Sequence, residues 1–161
     1  LQQLNGTWRY RSLHLWAALV VLALVPACAI VQRSRPSHAP LGSFAISGPT
    51  LGPQTVAPTS CAAGEHQVFL GVDLVDEGAG IVTRLVVDPA TGPVVRVFKA
   101  ASPFDATVLF HRTECRVFHF SLDSTGWRID HIDELEVSLE LDCQLPSGDS
   151  IVGTARDRGC S

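Results

Sequence analysis

The sequence predicts an all-β fold: a small antiparallel β-sandwich or barrel, disulfide-stabilised, after an N-terminal signal or anchor helix and a flexible linker. Three observations predict it. From Cys61 onward, short apolar segments are separated by turn-forming clusters. Residues 134–143, ELEVSLELDC, alternate apolar and polar side chains without a break. Four cysteines, Cys61, Cys115, Cys143 and Cys160, fall in the same stretch.

Composition sets the outer bounds. The 161 residues suffice for one ordinary domain and a tail. With 46% hydrophobic and 17% charged residues, the chain is too apolar to be disordered throughout. A net charge of −4 argues against a surface built to neutralise phosphates, so no nucleic-acid partner is expected. Methionine is absent, even at position 1, as expected of a fragment or of a non-standard start.

The first element is apolar. Leu13 to Val31 reads LHLWAALVVLALVPACAIV and follows Arg9 and Arg11. The thirteen residues Leu13–Val25 have the length of a signal-peptide core, and the arginines resist translocation in front of it. Val25-Pro26-Ala27-Cys28 then resembles the lipobox of bacterial lipoprotein precursors. Ala27 and Cys28 fit that pattern, and Pro26 departs from it. The resemblance implies lipidation of Cys28, cleavage before it, and a membrane partner reached through the lipid. It places the rest of the chain in a bacterial cell envelope, facing the periplasm or the exterior. The alternatives are a plain secretory signal or an uncleaved membrane helix, since about 20 apolar residues span a bilayer. Arginines on both sides, Arg33 and Arg35 following, give no clear orientation for such a helix.

Residues 29–60 read as a tether. Prolines at 36, 40, 49, 53 and 58 and glycines at 42, 48 and 52 interrupt any period, and little apolar surface is offered for burial. Phe44-Ala45-Ile46 is the one stretch there suited to an edge strand. The domains are therefore expected at 1–28, 29–60 and 61–161.

Within 61–161 the strands follow in order. His66–Val75 ends at Glu77-Gly78-Ala79-Gly80, and Ile81–Asp88 ends at the Asp88–Pro93 turn. Val94–Lys99, Thr107–His111 and Cys115–Leu122 come next. Asp123-Ser124-Thr125-Gly126 reads as a hairpin loop leading into Trp127–Asp130. In Glu134–Cys143 the residues Leu135, Val137, Leu139, Leu141 and Cys143 share one face, and the acids share the other. Ser150–Arg156 returns as its partner across Pro146-Ser147-Gly148-Asp149.

Five cysteines leave one over, and lipidation of Cys28 accounts for it. The other four then form two disulfides in an oxidising compartment. Cys160 should stand opposite about Leu135, and Cys143 opposite about Val152. That separates Cys143 from Cys160 too widely for a bond unless the tail returns sharply at Gly159. The register favours Cys61–Cys143 with Cys115–Cys160. No C-x2-C spacing supports a metal knuckle.

Four groupings are candidates for chemistry. Gly148-Asp149-Ser150-Ile151 resembles the opening block of GDSL-type hydrolases, but lies near the end of the chain and inside a hairpin, so a turn is expected. His119 and His131, with Asp130 or Asp133, can form a zinc-type site across the Asp123–Gly126 loop; His66 and His111 complete the histidines of the domain. Asp73, Asp76, Glu77 and Asp88 can hold calcium, and solvated turn acids are the plainer reading. Trp127 with Phe118 and Phe120 can offer a stacking platform for sugars, or simply core. No nucleophile elbow, phosphate loop or redox C-x-x-C occurs. No catalytic residue, metal or cofactor is assigned. The expected role is a non-catalytic binding or structural one, with an envelope protein or a glycan as partner. A small exported hydrolase or metal-dependent enzyme, and a carbohydrate-binding module, are the alternatives.

Overall fold

The computed structural model describes residues 41–103, 106–129 and 131–161. The apolar segment and Cys28 lie outside them, as do the Asp130 candidate and the side chain of His66. Ten strands form two five-stranded antiparallel sheets. The first sheet has the order β2-β1-β10-β9-β8, made from β1 (Gly42–Ser47), β2 (Gln54–Val56), β8 (Cys115–Ile129), β9 (Ile132–Gln144) and β10 (Ser150–Cys160). The second has the sequential order β3-β4-β5-β6-β7, made from β3 (Ser60–Ala63), β4 (Gly71–Asp76), β5 (Ile81–Asp88), β6 (Gly92–Lys99) and β7 (Thr107–His111).

Alternation explains which face of each strand is buried. On β9, Val137, Leu139, Leu141 and Cys143 point into the core, as the period of two requires. Leu74, Leu85, Val95, Val97 and Phe110 of the second sheet meet Phe44, Leu139, Leu141 and Ile151 of the first in one continuous apolar cluster. Burying each such side chain contributes about 1.5–3 kcal/mol, so neither sheet is stable without the other.

Three expectations are corrected. The first concerns the tether: residues 42–60 carry β1, β2 and the start of β3. β1 is an interior strand, paired with β10 from Gly42↔Ala155 to Ser47↔Ser150 and with β2 on its other side. Phe44 and Ile46 are buried and Ser43, Ala45 and Ser47 exposed, a pattern too short to stand out among prolines. Pro49, Pro53 and Pro58 sit between strands, where a missing N–H costs no ladder bond. Gly153 lets β1 approach β10: a Cβ there would lie 2.1 Å from the Ser43 carbonyl oxygen.

The second correction concerns the hairpin. Asp123–Gly126 is not a loop but a bulge inside β8, where four steps from Ser124 to Arg128 oppose two from Leu135 to Asp133. The chain reverses after the closing pair Ile129↔Ile132, with His131 at φ 71. The strands expected at Cys115–Leu122 and Trp127–Asp130 are thus one strand.

The third is the disulfide pairing. Cys115 stands directly opposite Cys143 and is bonded to it, with Cα atoms 3.8 Å apart. Cys61 is bonded to Cys160, with Cα atoms 4.7 Å apart, and joins the two sheets. Cys160 does face Leu135, as the register indicated. One extra residue between Asp157 and Cys160 switches the side that β10 presents, turning the Cys160 side chain inward. β3 lies across the ends of β10 and β9, which brings Cys61 to it.

Loop closure ranks the two bonds. They span 99 and 28 residues, for which chain entropy gives about 4.7 and about 3.6 kcal/mol. Replacing Cys61 and Cys160 by alanine should therefore lower the urea midpoint further than replacing Cys115 and Cys143. Equal losses, or non-reduced peptide mapping with another pairing, would contradict the assigned register.

Candidate functional site

The sequence candidates disperse in the fold. His119 is exposed on the outer face of the first sheet, its Nδ1 3.7 Å from Glu140 Oε2. His131 occupies the β8–β9 turn. Eight residue steps along β9 separate the levels of Glu140 and Ile132, about 26 Å at strand rise, so the two imidazoles cannot share an ion. Asp133 instead pairs with Arg128, which holds the carboxyl below its ordinary range. His111 is exposed; its backbone N–H donates to Glu114 Oε2 at 2.8 Å.

Of the acids grouped by sequence, Glu77 is exposed, and Asp73, Asp76 and Asp88 hold the backbone or another side chain. Asp76 accepts the N–H of Ala57 at 2.7 Å and of Ala79 at 2.9 Å. Asp88 accepts those of Ala90 and Thr91, which lower its pKa. Asp73 is buried on the outer side of the second sheet, where Arg84 grips both of its oxygens at 2.7 and 2.8 Å and Gln67 donates at 3.0 Å. The Arg84 guanidinium in turn lies 4.4 Å from the centroid of Phe69 and 5.3 Å from that of Phe98. Sequence reading missed this cluster.

The Gly148-Asp149-Ser150 block is a clamp between turns. Asp149 is buried and accepts the Thr50 N–H at 3.0 Å, the Thr50 hydroxyl at 3.0 Å and the Ser147 hydroxyl at 2.8 Å. It thereby fastens the β1–β2 turn to the β9–β10 turn. Ser150 shares a 2.7 Å hydrogen bond with Ser47, and no histidine contacts it among the described residues.

Two accessible features bear on the sequence candidates. A cleft of about 450 Å³ lies against the inter-sheet disulfide, lined by Leu41, Thr59, Ser60, Cys61, Asp157, Gly159 and Ser161. Cys61, Asp157 and Cys160 present ligand atoms within 4.8 Å of one another, the one such grouping among the described residues. Both sulfurs are spent in the disulfide, so the thiolates that zinc requires are missing. Among the described residues its lining carries one side-chain carboxylate, Asp157, and no imidazole to pair with it in acid–base chemistry. The second feature is Trp127, 73% exposed in the β8 bulge, whereas Phe118 is buried and Phe120 packs against the core. Core is thus the place of Phe118 and Phe120, and of the three-ring platform weighed as the alternative only Trp127 is accessible.

Comparison with protein-family models, curated proteins and solved structures gives no match.

Asp149 sets a pH dependence. Burial pushes its carboxyl up, but the Thr50 N–H, the Ser147 hydroxyl and the Thr50 hydroxyl outweigh it and bring the pKa below 3.8. A depressed folded pKa adds stability that is complete above the unfolded value and is lost as pH falls through the folded one. Asp149→Asn should cost about 1–3 kcal/mol at pH 7 in urea unfolding. The gap to the parent should narrow below pH 3.8. A gap that stays constant down to pH 2 would show that the carboxylate charge contributes nothing.

Proposed function

We propose that this chain is a lipid-anchored protein of the bacterial envelope, held by Cys28, whose sandwich has a binding or structural role. Cysteine parity carries the reading. Cys61, Cys160, Cys115 and Cys143 pair among themselves, leaving Cys28 as the fifth, at the end of a signal-like apolar run. Two disulfides agree with an oxidising location outside the cytoplasm. Anchoring follows from acyl burial at about 0.8 kcal/mol per CH2. The hydrolase alternative gains nothing from His119, His131 and Asp133, which do not converge on a concave site.

Replacing Cys28 by serine should move the chain from the membrane to the soluble fraction and abolish the acyl mass seen by intact-mass analysis. Retention of Cys28→Ser in membranes would assign anchoring to the apolar segment itself.

A further inference from the structure

The chain enters the first sheet at the end where the β8–β9 ribbon projects. Gly42 pairs with Ala155, and β1 runs from there toward Ser47 and the turn at Pro146–Asp149. Leu41 therefore lies at the other end, where β10 finishes at Cys160. Beyond the last β9–β10 pair, Leu135↔Cys160, the ribbon continues to Ile129↔Ile132. Trp127 stands in that extension.

Chain length limits how far this end can stand from an anchor. Thirteen steps separate Cys28 from Leu41, a reach of roughly 45 Å fully extended and about 20 Å as a coil. The end of the sandwich that carries Trp127 is thus the end the tether draws toward the bilayer. An indole there has an apolar body for the acyl boundary and an N–H for the headgroups.

We propose that the ribbon tip is a second, non-covalent membrane contact, with Trp127 entering the headgroup boundary of the bilayer that holds Cys28. This rests on the lipid-anchored reading for its geometry. A glycan fits less well. Arg128 and Asp133 are engaged with each other, and the ring stands on a projecting ribbon and not among the residues that line the cleft.

Trp8, Trp16 and Trp127 are the three tryptophans, so replacing the first two by phenylalanine leaves Trp127 as the single tryptophan whether or not the chain is cleaved before Cys28. The purified protein is reconstituted into vesicles of phosphatidylethanolamine and phosphatidylglycerol, with or without bromine near the headgroup end of the acyl chains. The expected result is a blue-shifted emission that loses most of its intensity in the brominated vesicles. Equal emission in both vesicles, on protein that floats with them, overturns the membrane contact and leaves the lipid anchor intact. A blue shift that grows with protein concentration in detergent, without bromine quenching, assigns the tip to a second copy and overturns it too. Quenching without an acyl mass on Cys28 keeps the contact and removes the anchor. Protein that does not bind vesicles removes both.

Discussion

The fold depends on one shared core closed between two sheets and tied at one corner by Cys61–Cys160. Among the described residues neither sheet has a second apolar layer of comparable size to lean on. Phe44 and Ile151 on the first meet Leu74, Leu85 and Phe110 on the second in a single cluster. The tie is available only because β10 gains one residue before Cys160, turning the thiol from the solvent side to the core side. Without that bulge the last cysteine would face away from Cys61, and β3 would have no covalent hold on the first sheet. Cys115–Cys143 is different in kind: it staples neighbouring strands of one sheet.

Several polar groups serve the fold itself. Among the described residues the buried acids are all engaged: Asp73 by Arg84 and Gln67, Asp76 by two backbone amides, Asp149 by Thr50 and Ser147. On the outer face of the first sheet, Arg116–Asp142 and Arg158–Glu136 join neighbouring strands. Such exposed pairs add little stability, but charges along β8 discourage other strands from adding to the sheet edge. The ribbon tip with Trp127 stands clear of these pairs.

Legibility in the sequence followed period and turn chemistry. Glu134–Cys143 was readable because five alternations fix one inner face, and Ile81–Asp88 because strong breakers bound it on both sides. β1 was not, since only Phe44 and Ile46 mark its inner face. Gly126 misled for a physical reason: a glycine at φ 83 serves a bulge as well as a loop. Turning the chain at Asp123–Gly126 sets Cys115 near Glu134, which hides its true partner; moving the turn to follow Ile129 and allowing both bulges brings Cys115 to Cys143. Asp73 and Arg84 were open to discovery, because they are equidistant from the Glu77–Gly80 turn and are the lone charges in the middle of two apolar strands. Trp127 was named among the aromatics, but its exposure depends on the bulge.

The most direct test of a shared core is native-state hydrogen exchange on the oxidised protein, followed amide by amide in increasing denaturant. The core amides of β1 around Phe44 and those of β5 around Leu85 should exchange through one global opening, with the same free energy and the same denaturant slope. If β1 exchanges freely while β5 stays protected, or if the two sheets open with separate free energies, the closed two-sheet core is not what holds this protein together.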